Sequence, residues 1–207
     1  MRETGFVLAL GCGLIGFSAV AGAVDAPAAA SAPEEFSPEV KAVLDQRTGM
    51  LVQQLAVDPL IQQAVRDSNE RNTSVSQAEI LRLDAEWQST KGLNDFIKSF
   101  LASPCAERLI AFQDNHDGFS EIFIADARGL VVAETNKTSD YYQADEDWWV
   151  RAYDEGRGKT FHGDIEYDES AMAEAIAVYV PVMDASTNRA IGVIKAVVDL
   201  TSIKREL

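Results

Sequence analysis

Phe119-Ser120-Glu121-Ile122-Phe123-Ile124-Ala125-Asp126-Ala127-Arg128-Gly129-Leu130-Val131-Val132-Ala133 is the stretch on which the fold turns. Phe119 to Ala125 carries the strand formers Ile122, Phe123 and Ile124. Asp126-Ala127-Arg128-Gly129 reads as a hairpin turn, with Gly129 supplying the positive φ that such loops need. Leu130 to Ala133 is the return strand. Three more segments downstream read as strands: Gly158 to Ile165, Ala175 to Val182, and the Val/Ile-rich run Ala190 to Leu200. Upstream the pattern is helical. Helices first and strands last imply an α+β domain, an antiparallel sheet of about five strands with helices on one side.

On the N-terminal side, Ser37 offers an N-cap, Pro38 suits the first helical position and Glu39 complements the helix dipole. Val40, Val43, Leu44, Leu51 and Leu55 follow at helical spacing, predicting a long amphipathic helix to about Arg66, with Asp58-Pro59 as a break or kink near its end. Such a helix is either a spine packed on the domain or a homodimer seam. Ser68 to Ser74 reads as a polar turn. Ser76-Gln77-Ala78-Glu79 is a capping box. Lys91-Gly92 interrupts the helical spacing, and Ser103-Pro104 starts another short helix with Leu109, Ile110 and Phe112 as its buried side. Helices are thus expected over residues 38–113 and the sheet over 119–200.

The chain has 207 residues, a length for one domain plus extras, and 47% of them are hydrophobic. Its formal net charge of -15 argues against nucleic-acid and anionic-membrane binding, both of which reward a basic surface. Residues 1–23 read as a secretory signal peptide: Arg2, an apolar run from Phe6 to Val20, then Ala21-Gly22-Ala23 as a small-x-small cleavage site. Left uncut, the same run would serve as a signal anchor. Residues 24–37, rich in Ala, Pro and Ser, read as a flexible linker. The expected location is therefore periplasmic or secreted. Cys105 alone remains after cleavage, so no internal disulfide is expected, and a buried thiol suits it better than a nucleophile.

Between the strands lies Ser139-Asp140-Tyr141-Tyr142-Gln143-Ala144-Asp145-Glu146-Asp147-Trp148-Trp149-Val150-Arg151-Ala152-Tyr153. It holds five of the eight Trp and Tyr residues of the chain, interleaved with carboxylates. Rings that supply apolar walls, beside polar groups that fix orientation, are what a small-ligand pocket needs. No Gly-x-Ser-x-Gly elbow, phosphate loop or zinc ligand set accompanies it, so no catalytic residue, metal or cofactor is expected. Asp164, Glu166 and Asp168 alternate like the first ligands of a calcium loop, but the glycine and the last carboxylate of that pattern are missing. With His162, these carboxylates make a metal-assisted hydrolytic enzyme the alternative reading.

The order of these segments resembles the Cache, or PDC (PAS-like), extracytoplasmic sensor domains of chemoreceptors, histidine kinases and diguanylate cyclases. The hairpin above, the run Thr138 to Trp149, Gly163-Asp164, Val180-Pro181-Val182 and Ile191-Gly192-Val193-Ile194 carry the resemblance, over roughly residues 38 to 203. It implies a long N-terminal helix, a five-stranded antiparallel sheet, and a small ligand between the sheet and the segment covering it. In amino-acid-binding members a Tyr is followed five residues on by an Arg for the ligand carboxylate, then by a Trp-aromatic pair. Tyr141 and Trp148-Trp149 match, but Glu146 stands at the Arg position, which points to a cationic or neutral polar ligand. Arg151 offers an anion seat if it turns inward. The implied roles are an apolar wall from Tyr141, Trp148 and Trp149, hydroxyl donors from Tyr142 and Tyr179, and acceptors for positive charge from Asp145, Glu146 and Asp164. Without a signalling module of its own, such a chain is expected to act through a membrane receptor or kinase partner.

Overall fold

The computed structural model describes residues 36–168 and 173–207. The expected leader, the linker as far as residue 35, and residues 169–172 lie outside the described residues. Phe36, expected in the linker, is instead docked in the core, its ring edge-on to His162 at 5.2 Å.

Ser37 caps α1 (Pro38–Leu51) by accepting the Val40 N–H at 3.3 Å. The helix continues as a π-helical stretch, Val52–Ala56, and stops at Asp58, whose backbone is extended. Asp58 Oδ1 then accepts the Leu60 N–H at 2.9 Å and opens α2 (Pro59–Asn72). The helix expected to reach Arg66 is divided at Asp58-Pro59, where a break or kink was expected, because the residue before a proline is pushed out of helical geometry. In turn, α2 runs through most of the stretch read as a polar turn. Ser68 is a buried helical residue that donates to Asp126 Oδ2 at 2.9 Å, and Asn72 Nδ2 donates to the same oxygen at 2.8 Å. A tertiary partner has outweighed local turn preference.

α3 (Gln77–Ser89) starts as expected, Ser76 accepting the Glu79 N–H at 3.2 Å. Glu79 pairs with Arg82 at 2.8 Å on the exposed face. α4 (Asp95–Leu101) is capped by Asn94, and α5 (Pro104–Asn115) by Ser103 with Pro104 at its first position. Cys105 is buried, and burial together with the nearby Asp58 charge pushes its thiol pKa up to about 12.

Five strands follow: β1 (Phe119–Asp126), β2 (Val131–Glu134), β3 (Phe161–Asp168), β4 (Ala173–Asp184) and β5 (Arg189–Asp199). They pair antiparallel in the order β2-β1-β5-β4-β3, a PAS-like sheet. A short α6 (Asp147–Tyr153) lies between β2 and β3. The last strand does not reach Leu200. Asp199 accepts the Thr201 N–H at 2.8 Å and starts α7 (Leu200–Glu206).

Side chains alternate along each strand, so the sheet has two different faces. Ile122, Ile124, Val178, Val180, Ile194 and Ala196 face the helices and close the main core with Leu44, Leu51, Ile61, Leu109 and Phe112. Each fully buried aliphatic chain of this kind contributes about 1.5–3 kcal/mol. The opposite face carries Phe123, Tyr179, Lys195 and Glu166, and it is this face that the aromatic-acidic segment crosses.

Asp126 fastens the two halves together. Its side chain is fully buried and also accepts the backbone N–H groups of Arg128 at 2.8 Å and Leu130 at 3.0 Å, pinning the β1–β2 turn to α2. Asp126→Ala is expected to lower stability by about 3 kcal/mol, since several buried donors lose their acceptor at once. Ser68→Ala should cost about 1 kcal/mol. Urea unfolding midpoints at unchanged slope would show both; a midpoint that stays put in Asp126→Ala would remove this role.

Candidate functional site

The end of α3 holds the start of the aromatic-acidic segment. Asp84 Oδ1 accepts the backbone N–H groups of Tyr141 at 2.9 Å and Tyr142 at 3.0 Å. Gln88 Nε2 donates to Asp84 Oδ2 at 2.8 Å and to Asp140 Oδ1 at 2.7 Å. Trp87 Nε1 donates to the Thr138 carbonyl at 2.8 Å, and Lys137 Nζ donates to the carbonyls of Trp87 and Thr90 at 3.0 Å each. The chain then passes over the β1–β2 turn, where Gln143 N–H donates to Gly129 O at 2.7 Å. Gly129 has φ 75°, and a Cβ there would collide with Ala144. Only glycine allows both the turn and this close approach.

At and before that crossing, Ser139 and Gln143 of the segment border a cleft of about 570 Å³ on the open face of the sheet, floored by Phe123, Ala175, Ala177, Lys195 and Val197. Its walls come from Gln88, Lys137, Thr138, Ser139 and Gln143 on one side and Glu166 and Tyr167 on the other, with Glu121 on β1. A bay of about 280 Å³, lined by Asp140, Glu146, Asp147, Trp148 and Tyr179, shares Ser139, Gln143, Glu166 and Lys195 with it. These sizes suit a small molecule. Strand register explains the floor: Tyr179 pairs with Lys195, Lys195 with Phe123, and Phe123 with Glu134, a row across four strands. Trp148 stacks on Tyr179 at 5.2 Å and meets Phe123 edge-on at 5.8 Å.

Of the eight residues read from sequence as ligand contacts, Glu146, Trp148 and Tyr179 line the smaller bay, and none lines the larger cleft. Tyr141 lines neither. It is buried among Trp87, Phe96 and Phe100, with ring centroids 5.3–5.6 Å away, and burial pushes its hydroxyl pKa up to about 12. Tyr142 leans on the same cluster. Trp149 is buried over Ala125 and Val193 and stacks on Tyr153 at 4.7 Å, filling space between α6 and the sheet. Asp145 and Asp164 are exposed and outside the lining. Arg151 lies over the Phe161 ring at 3.8 Å, also outside the lining.

Sequence reasoning missed Lys195, Phe123, Gln143 and Ser139. Lys195 carried a readable signal: it is the one charged residue inside the run Ala190 to Val198, and alternation sets it opposite in face to Ile194 and Ala196.

The groups of the hydrolytic alternative do not converge. His162 pairs with Val178, on the helix face, while Glu166 pairs with Ala175, on the cleft face. The register shift between His162 and Ile165 breaks the alternation that would have put them on one face. Asp168 has no described side chain. Among the described residues no three His, Cys, Asp or Glu are placed to hold a metal ion. His116 stacks on Phe112 at 4.2 Å and bonds to Gln54 at 3.1 Å.

Charge in the cleft is uneven. Glu146 has its pKa raised, first by burial and then by Asp145 and Asp140, with Lys195 opposing. Tyr179 is raised by burial, then by Glu166 and Glu146. Behind the wall, Glu134 is fully buried; one oxygen accepts the Thr138 N–H at 3.0 Å and the other has no partner among the described residues. Burial, with Glu121 adding, pushes its pKa up to about 7, against the Thr138 contacts and Lys137.

No protein-family model matches the sequence, and no curated protein matches it. Solved structures do. The chain is similar in structure to sensory domains. With the isoleucine-bound sensory domain of the Campylobacter jejuni chemoreceptor Tlp3 it shares 13% identity over 83% of this chain and 67% of that one, at a TM-score of 0.40. With the ligand-binding domain of the Pseudomonas aeruginosa amino-acid chemoreceptor PctC, in complex with GABA, the figures are 14%, 70%, 61% and 0.35. With the extracellular domain of the putative histidine kinase vpHK1S-Z8 they are 12%, 82%, 55% and 0.43. The chain thus spans between about half and two thirds of the length of these domains.

Glu134 gives the site a pH signature. Its folded pKa lies above the ordinary 4.5, so the folded state holds this proton more tightly than the unfolded chain. Its contribution to stability is complete below about pH 4.5 and is lost as pH rises through about 7, by up to about 3 kcal/mol. Glu134→Gln should remove that part of the decline between pH 5 and 8 in urea titrations. Parallel profiles for the variant and the parent would show that Glu134 is not its source.

Proposed function

We propose that this chain is a non-catalytic, Cache-type sensor module that binds a small polar molecule and acts outside the cytoplasm through a membrane receptor or kinase partner. One observation carries the reading: a cleft and bay of small-molecule size are bordered by the segment whose motif resembles the ligand-covering segment of that family. Trp148, Tyr179 and Phe123 are its apolar surfaces. Glu146, Glu166, Asp140 and Asp147 receive N–H groups or positive charge from the ligand, and Ser139 and Gln143 supply neutral hydrogen bonds at the junction of cleft and bay.

A ligand that binds only the folded chain raises its melting temperature by mass action. A thermal-shift screen over L-amino acids, primary amines and organic acids should therefore yield at least one stabilising compound. Trp148→Ala and Glu146→Ala should abolish that stabilisation, whereas Asp164→Ala, outside the cleft, should keep it. Equal shifts in the parent and in Trp148→Ala and Glu146→Ala would take the site away from this cleft.

A further inference from the structure

Of the two lysines that line the cleft, Lys137 is committed to the carbonyls of Trp87 and Thr90, and Lys195 stands on the floor. It sits on the middle strand of the sheet, between Phe123 and Tyr179 in register. Its ammonium lies 5.1 Å from the Trp148 ring centroid and 5.7 Å from that of Phe123. Five carboxylates line the cleft and its bay: Glu121, Asp140, Glu146, Asp147 and Glu166. Yet among the described residues Lys195 forms no ion pair, whereas ten others are formed elsewhere.

Two consequences follow from the chemistry of an ammonium. Ring faces attract its charge but accept none of its three N–H groups in a strong hydrogen bond. A half-buried lysine with open donors therefore favours an anionic oxygen, which gives the stronger, charge-assisted contact. Conversely, the faces of Trp148 and Phe123 nearest the floor already hold a cation. A ligand ammonium placed there would meet Lys195 at like charge. The aromatic box is filled from within, so it selects against amines.

We infer that Lys195 is the anion seat of this cleft, and that the ligand is dipolar: one carboxylate-type group on Lys195, and N–H donors at some distance from it toward Glu146 and Glu166. This rests on the reading of the cleft as a ligand site and narrows the ligand that the acids alone would suggest. The surplus of carboxylates over cations around the bay accounts for the second pole. A plain anion would be held by Lys195, less tightly because the acids oppose it; a plain cation would meet the Lys195 charge with no carboxylate of its own to offset it.

The test uses small probes that carry one pole or both. In full-length protein labelled with ¹³C-lysine, the Lys195 side-chain signal is assigned by its loss in Lys195→Gln. Sodium acetate, methylammonium chloride and β-alanine are then titrated separately at constant ionic strength. The expected result is a saturating shift of the Lys195 signal with acetate, a saturating shift at lower concentration with β-alanine, and only a linear drift with methylammonium, like that of exposed Lys91. In Lys195→Gln, backbone signals of the cleft floor should show affinity for β-alanine weaker by at least about tenfold, as for a lost charge-assisted bond. A linear response to acetate, a saturating one to methylammonium, or unchanged β-alanine affinity in the variant would overturn the assignment. If the acetate response fails while Trp148-dependent stabilisation is found in the thermal screen, the anion seat falls and the sensor reading stands. If acetate saturates but no compound stabilises through Trp148, the seat stands and the sensor reading falls.

Discussion

The cleft exists because one carboxylate on α3 takes two successive backbone N–H groups. Asp84 Oδ1 receives both Tyr141 and Tyr142, in a place where water cannot. Each of those donors, left alone, would cost about 1–3 kcal/mol. The contact fixes the direction in which the next residues run. With it, Tyr141 drops its ring into the cluster of Trp87, Phe96 and Phe100, and the chain is anchored to the helices at one end. The other end is anchored by Trp149 and Ala152 over β1 and β5. Between the anchors, Gln143, Glu146, Asp147 and Trp148 border the bay, Trp148 packing on Tyr179 as its wall. A segment that borders a hollow needs to be tied at both ends, and the ties here are a hydrogen-bonded carboxylate and a buried indole.

The strand at the floor of the cleft serves two environments at once. Along β5, Ile194, Ala196 and Val198 enter the helical core, while Val193, Lys195 and Val197 face the other way. Strand alternation makes this division automatic. A lysine is tolerated in so apolar a run because its stem packs on neighbours and its ammonium meets ring faces and the open cleft. On the helix side the same residue would be an unpaired buried charge, which is costly enough to shift or unfold the strand. The floor of the cleft is thus the one side of this strand where a charge can stand.

Local signals were legible in the sequence and long-range ones were not. Ser37, Ser76 and Ser103 cap their helices because a cap depends on its own next few residues. The Asp126–Gly129 turn and the grouping of helices before strands were likewise visible. The helical character of Ser68 was hidden, since its partner Asp126 lies 58 residues away. Tyr141 and Trp148 look alike in sequence, as rings among acids. Their fates differ because Asp84, 57 residues from Tyr141, decides where the segment bends. The separation of His162 from Glu166 depends on a bulge that shifts parity by one residue, and Gly163 hints at it only faintly. α7 was overlooked because seven residues after a strand give little periodicity; Asp199, its cap, reads equally well as the end of the strand.

The row Glu134, Phe123, Lys195, Tyr179 shows how the sheet keeps its cation available. A carboxylate beside Lys195 would neutralise it from within. The acid on this row stands one strand further out, with the Phe123 residue between them, and its charge is directed to the Thr138 N–H rather than to the cleft. Full burial also favours its neutral form. On the other side the neighbour is Tyr179, whose hydroxyl is held un-ionised by burial and by the charges of Glu166 and Glu146. Both strand neighbours of Lys195 are therefore uncharged rings. The electrostatic interaction that Lys195 lacks inside the protein is the one that the cleft leaves open to a guest.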